Sequence, residues 1–169
     1  TVPPSGYTTF EAAGLGVTEN NIYWIAAAKE TSGAAYREIW SVPKDGGPAV
    51  SRARFGPDQN VDLSVAEVGG TFYASVRNDN DPGVIYRIPD GGAPQKVPDS
   101  DGYILTEGPW AVTHHVGPVD ITKLWEERAS PEIPTYWNVV TGERRTPRTL
   151  HGVTLIGCDP YTCLGHAAE

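Results

Sequence analysis

Asn21-Ile22-Tyr23-Trp24-Ile25-Ala26-Ala27 and, a few residues on, Glu38-Ile39-Trp40-Ser41-Val42-Pro43-Lys44-Asp45-Gly46-Gly47 make up a unit that the chain writes a second time. The copy reads Gly70-Thr71-Phe72-Tyr73-Ala74-Ser75-Val76, then Val84-Ile85-Tyr86-Arg87-Ile88-Pro89-Asp90-Gly91-Gly92. Aligning Tyr23-Trp24 on Phe72-Tyr73 gives a spacing of 49 and aligning Trp40 on Tyr86 gives 46, with the difference absorbed in the hairpin between the halves. A looser third copy runs through Pro109-Trp110-Ala111-Val112-Thr113 and Pro134-Thr135-Tyr136-Trp137-Asn138-Val139-Val140-Thr141-Gly142, with a long insert between its halves. Repetition at this period decides the fold, because a repeated unit that cannot bury its own faces is stabilised by stacking on its neighbours.

Each unit parses as four short strands. In the second unit they are an apolar lead-in (Val61 to Val68), an aromatic-rich strand (Thr71 to Val76), an alternating strand (Val84 to Ile88) and a polar outer strand (Ala93 to Val97). Gly, Pro, Asn and Asp bound these runs, and Asp45-Gly46 and Asp90-Gly91 are dipeptides that tolerate positive φ in a tight turn. A repeat of this length holding four antiparallel strands is the size of one β-propeller blade. The fold expected is therefore all-β, a β-propeller in a single domain, with blades at about 15–58, 59–102, 103–149 and an incomplete 150–169.

That count is about three and a half blades, whereas closed propellers usually have roughly four to eight. One reading makes the chain half of a six- to eight-bladed ring completed by another chain, a symmetric copy or residues not present here. A second makes it a small four-bladed ring in which Tyr7 to Ala12 supplies an outer strand to the last blade, and a third is a β-sandwich of similar strand number.

Tyr23-Trp24-Ile25 with Ile39-Trp40-Ser41-Val42-Pro43-Lys44-Asp45-Gly46-Gly47, and the matching Phe72-Tyr73 with Ile85-Tyr86-Arg87-Ile88-Pro89-Asp90-Gly91-Gly92, resemble the repeat of TolB-like and YWTD-type β-propellers. Cys158-Asp159-Pro160-Tyr161-Thr162-Cys163 resembles the paired-cysteine strand turn of secreted actinobacterial propellers. The resemblance spans roughly residues 15 to 165 and implies an architecture without an activity; the third copy departs from it by lacking Asp-Gly-Gly and carrying the insert.

Composition agrees with a β-rich repeat protein. The 169 residues include 19 Gly and 15 Pro, one set of hairpin turns per unit, and no apolar run approaches a membrane span. With 21 acidic against 13 basic residues the net charge is −8, which argues against nucleic acid and anionic membranes as partners. The absence of Met and the start Thr1-Val2-Pro3-Pro4 read as a processed N-terminus, and so as an exported, extracellular protein. In that compartment the two cysteines, Cys158 and Cys163, are expected to form a local disulfide, a metal pair or free thiols being the alternatives.

Candidate chemistry is sparse. His114 and His115 with Asp120 suggest a metal or catalytic loop, but adjacent strand residues point to opposite faces, and polar loop residues are the simpler reading. His151 and His166 have no local partner. Asn78-Asp79-Asn80-Asp81-Pro82-Gly83 has the alternating oxygens of a calcium loop, yet it lacks a spaced bidentate Glu and falls where the repeat requires a turn. Glu143-Arg144-Arg145-Thr146-Pro147-Arg148 is the basic cluster and fits an outer strand. No nucleophile elbow, zinc-protease helix or phosphate loop occurs, so no catalytic residue, metal ligand or cofactor is assigned.

The insert Val116 to Pro134 is the best functional candidate, because binding residues concentrate on long loops held by a rigid scaffold. Trp125, Glu126, Glu127 and Arg128 lie in it, outside the repeat, and Trp125 is the expected anchor for a partner. The function expected is a secreted, non-catalytic scaffold that binds a protein or glycan partner through loops on one face. The alternatives are a lactonase- or lyase-like hydrolytic propeller completed by missing blades, and an assembly component that completes a ring with a second half or as a homodimer.

Overall fold

The structure, a computed structural model, describes residues 4–78, 83–113, 135–146 and 153–167, and within them it is built from antiparallel strands without a helix. The first sheet is β1 (Tyr7–Val17), β2 (Asn21–Glu30), β3 (Ala35–Pro43) and β4 (Val50–Phe55), hydrogen-bonded in that order. The second repeats the plan with β5 (Asn60–Val68), β6 (Thr71–Arg77), β7 (Val84–Ile88) and β8 (Gln95–Lys96). The third has β9 (Tyr103–Leu105), β10 (Trp110–Thr113), β11 (Tyr136–Asn138) and β12 (Arg144–Arg145), and β13 (Val153–Cys158) pairs with β14 (Cys163–Ala167) as a two-stranded hairpin. Every connection inside a sheet joins neighbours, so local sequence closes each one. The link from β5 to β6 is two residues, Gly69 and Gly70, both at positive φ (56° and 79°), the geometry that matches a two-residue turn to strand twist.

The sheets stack face to face. Ile39, Ala53 and Phe55 of the first sheet enclose one core with Phe72, Ala74, Val76 and Ile88 of the second. Ala66, Tyr73 and Ile85, on the opposite face of the second sheet, enclose another core with Leu105 and Ala111 of the third. This explains why Phe72 to Val76 is buried at every position: both faces of β6 are covered, so the period-two pattern of a half-exposed strand disappears. Three successive layers also differ from the two-sheet sandwich entertained from strand number.

Register corrects the repeat alignment. Trp24 is paired with Trp40, Ala74 with Tyr86 and Ala111 with Trp137. The position equivalent to Trp24 is therefore Ala74, one residue further along than the sequence alignment places it, and Tyr23 corresponds to Tyr73. Because side chains alternate between faces, a slip of one exchanges which face each aromatic covers. A second correction concerns the amino-terminal strand. Tyr7 to Ala12 pairs with Ala26 to Glu30 of β2, so it belongs to the first sheet, ahead of residue 15, and adds nothing to the last unit.

Two side chains each hold a backbone amide on the first strand of the next layer. Val65 N–H donates to Tyr23 Oη at 3.3 Å, and Leu105 N–H donates to Ser75 Oγ at 2.6 Å. Tyr23 fits because Gly16 lies opposite it across β1 and β2, and a Cβ at Gly16 would overlap the tyrosine ring. Gly16→Ala should therefore displace Tyr23 and cost about 1–3 kcal/mol by overpacking, and Phe72→Ala should cost about 3–5 kcal/mol by opening the first core. Urea unfolding monitored by tryptophan fluorescence measures both; a Gly16→Ala midpoint equal to wild type would contradict the packing described.

Candidate functional site

The most organised cluster lies on the face of the first sheet that points away from the second. Alternation puts Trp24, Trp40 and Glu38 together there, since Trp24 pairs with Trp40 and Ala26 with Glu38. The two indoles stack at 6.3 Å with 15° between planes, Phe10 meets Trp40 edge-on at 5.5 Å, and Tyr7 meets Phe10 at 5.7 Å. These rings remain only half-buried.

Glu38 lies beneath them with its side chain fully buried. Its carboxylate accepts from Tyr7 Oη (2.9 and 3.1 Å), Trp40 Nε1 (2.8 Å) and Arg54 Nε (2.7 Å). Arg54 also donates to Glu30 (2.7 Å) and to Tyr7 Oη (2.9 Å), and its guanidinium lies 4.2 Å from the Tyr36 ring centre. Burial pushes the Tyr7 phenol up, and the bond and charge of Glu38 push it further against the opposing pull of Arg54, so Tyr7 stays a neutral donor. Burial disfavours charge on Arg54, but the bonds to Glu38 and Glu30 outweigh it and leave its pKa above the ordinary value. Both Glu38 oxygens are engaged by these donors. Glu38 orients the indole of Trp40 and the ring of Tyr7.

A second carboxylate joins layers. Glu67, on β5, accepts from the Thr18 hydroxyl and from Asn20 N–H at 3.2 Å in the turn between β1 and β2, and from Nδ2 of Asn21, the first residue of β2, at 3.0 Å to each oxygen. Burial alone would raise its pKa; the bonds from Thr18, Asn21 and Asn20 outweigh burial and hold it below the ordinary carboxylate value.

At the far side of the third sheet, Trp110 Nε1 donates to Tyr161 Oη at 2.8 Å with the rings edge-on at 5.9 Å. The Arg145 guanidinium lies 4.8 Å from the Trp110 ring and 5.1 Å from that of Tyr161. Tyr161 is carried by the turn between β13 and β14, where Asp159 Oδ1 accepts from the Tyr161 and Thr162 amides at 2.6 Å each. Burial, and then the nearby Asp159 charge, raise the Tyr136 phenol.

Trp125, Glu126, Glu127 and Arg128, with His114, His115, Asp120 and His151, fall outside the described residues, as do positions 79–82 of the Asn/Asp run. Arg144 and Arg145 form the short outer strand β12, with Arg144 set 5.2 Å from the Trp137 ring. Cys158 and Cys163 are directly opposite as the last pair of their hairpin. Among the described residues no group of three or more His, Cys, Asp and Glu could hold a metal ion. Sequence reasoning missed Tyr7, Glu38 and Arg54. The legible signal was Glu38 two residues before Trp40, hence on one face, with an Arg in the next strand. Comparison with protein-family profiles, with curated proteins and with solved structures returns no match.

Glu38→Gln replaces an acceptor of four bonds by an amide that turns an NH2 toward donors. It should cost about 2–4 kcal/mol in urea unfolding and blue-shift less of the tryptophan emission. The Glu67 contribution has the opposite dependence on proton concentration from a histidine switch. Its lowered pKa stabilises the fold above the ordinary carboxylate value, and this is lost as pH falls through the native pKa. The Tm gap between wild type and Glu67→Gln should be widest at neutral pH and close as pH falls through the lowered native value; a gap independent of pH would remove Glu67 as the cause.

Proposed function

We propose that the chain is part of a secreted β-propeller of the TolB-like or YWTD kind, serving as a binding scaffold for a protein or glycan partner rather than as an enzyme. The observation that carries this reading is the face-to-face succession of four-stranded meanders, each tied by a side chain to the inner strand of the next. A propeller blade has this strand order and this mode of packing. The repeat phrases and the paired-cysteine turn support the same assignment from sequence.

Binding is assigned to the insert Val116 to Pro134, which departs from the repeat, with Trp125 as its anchor. Glu126, Glu127 and Arg128 give it a mixed-charge rim suited to a polar surface on the partner. The disulfide belongs to the same proposal. Opposed residues of an antiparallel pair have Cα atoms about 4.5–5.5 Å apart, inside the range a disulfide spans, and export would supply the oxidising compartment.

Screening the chain against a glycan array and a displayed-peptide library tests the reading. Ligands should emerge, and Trp125→Ala should weaken them at least about tenfold with Tm unchanged. Ligands bound equally well by the variant, or none from either library, would overturn it. Intact mass before and after reduction should differ by two hydrogens in secreted material.

A further inference from the structure

Three Asp-Gly steps lie in turns of the chain: Asp45-Gly46, Asp90-Gly91 and Asp101-Gly102. Such a step can rearrange without an enzyme, because glycine has no Cβ to shield its amide nitrogen from the neighbouring carboxyl. The nitrogen bonds to the aspartate Cγ, and the carboxyl, protonated from solvent, gives up its hydroxyl, which leaves as water with the amide hydrogen. The cyclic imide then takes up water at the main-chain carbonyl carbon, whose bond to nitrogen breaks. The product is isoaspartate, of unchanged mass, with the chain running through Cβ and Cγ and the proton returned to solvent.

The fold treats the three steps differently. At Asp101 both reactants are engaged: its two oxygens accept from Lys96 Nζ at 2.7 and 2.9 Å, and Gly102 N–H donates to the Gly83 carbonyl at 2.8 Å. At Asp45 the Gly46 amide is held, donating to the Pro43 carbonyl at 3.1 Å. At Asp90 the turn bond is made one residue later, from Gly92 N–H to the Pro89 carbonyl at 3.0 Å, which leaves the Gly91 amide without a partner among the described residues. No atom beyond its chain neighbours lies within 4 Å of the place a Gly91 Cβ would take. What restrains this step is Arg52, on β4 of the first sheet. Its guanidinium donates to Asp90 Oδ1 across the seam, while its Nε donates to Ser41 Oγ at 2.7 Å and its plane lies 5.2 Å from the Phe72 ring centre. A carboxylate paired with a guanidinium has to release it before taking a proton and losing an oxygen. The Asp90 side chain is 78% exposed, so that release is cheap. We propose that Asp90-Gly91 is a modification site, a spontaneous conversion of aspartate to isoaspartate that Arg52 holds in check. Conversion moves the carboxylate onto Cα and adds a methylene to the main chain. The pair with Arg52 is then lost and the Pro89–Gly92 turn distorted, which loosens the seam between the first and second sheets.

Ageing the chain in warm neutral buffer, then mapping isoaspartate by peptide chromatography with electron-transfer fragmentation, tests this. In the folded chain isoaspartate should accumulate at Asp90 and not at Asp101, whereas in urea, where the dipeptide alone counts, both convert. Arg52→Ala should speed conversion at Asp90 about two- to fivefold, the range that an exposed ion pair is worth, and leave Asp45 at its wild-type rate. Salt at about 1 M screens the same pair in the wild-type chain and should favour Asp90 over Asp45. If Arg52→Ala does not fold, the salt comparison decides. In an Asp45→Glu background, which removes the other step with an unpaired carboxylate, Tm should fall as Asp90 converts. No isoaspartate at Asp90, equal conversion at Asp90 and Asp101 in the folded chain, a rate at Asp90 unmoved by Arg52→Ala or by salt, or a Tm indifferent to conversion overturns the proposal.

Discussion

Covering both faces of a β-sheet is the constraint on which the rest of this structure depends. Successive side chains point to opposite sides, so each strand has to satisfy two different neighbours with two interleaved sets of residues. The middle sheet does so fully: Phe72, Ala74 and Val76 serve one core, and Tyr73 serves the other. Ser75, also on that second side, adds no apolar area but holds the amide of Leu105, fixing the height of the third sheet against the second. Tyr23 does the same for Val65 one layer earlier, and the space its ring needs is the reason that residue 16 has no side chain. Apolar burial is non-directional, so these two polar ties define the offset between layers that the cores alone leave loose.

The two carboxylates divide the electrostatic work differently. Glu38 is spent inside one sheet, joining Tyr7 on β1, Trp40 on β3 and Arg54 on β4. Glu67 is spent between sheets, capping the turn of the first from the inner strand of the second. A buried charge gains little net stability over an apolar substitute, because desolvation offsets much of the attraction. Its effect is on selection among registers: shifting β4 by one residue would carry Arg54 to the other face and strand Glu38 without a counter-charge. Around Glu38 the outermost sheet acquires a register that its exposed face could not fix by apolar packing.

Much of this fold was legible. The second unit reads directly, from Val61 to Val68, Thr71 to Val76 and Val84 to Ile88, because its apolar runs are bounded by Gly69-Gly70, by Pro82-Gly83 and by Pro89-Asp90-Gly91. The first strand was not read as part of its sheet. Phe-Glu-Ala-Ala-Gly-Leu-Gly has no clean alternation, since the strand has register irregularities between Tyr7 and Thr9 and between Ala13 and Leu15 and is nowhere fully buried. The aromatic alignment slipped by one for a related reason: Phe72-Tyr73 looks like Tyr23-Trp24 in chemistry, yet Trp24 has no bulky counterpart where the repeat is covered, and the equivalent places hold Ala74 and Ala111. Similar residue types were matched where similar environments should have been. Glu38 was missed for a different reason: its place two residues before Trp40 was legible, but a single acidic residue in a strand reads as solvated, and its partners at 7, 40 and 54 are brought together only by the sheet.

The unequal covering of the layers implies a gradient of local stability along the array. The middle sheet loses both cores if it opens, so its opening amounts to global unfolding. The third sheet has strands of two to four residues and is held on its far side by the pairing of Trp110, Tyr161 and Arg145, whose aromatic and cation contacts contribute less than a continuous apolar interface. The first sheet has the longest strands and the Glu38 network but, among the described residues, a single covered face, so its ladder resists opening more than its packing does.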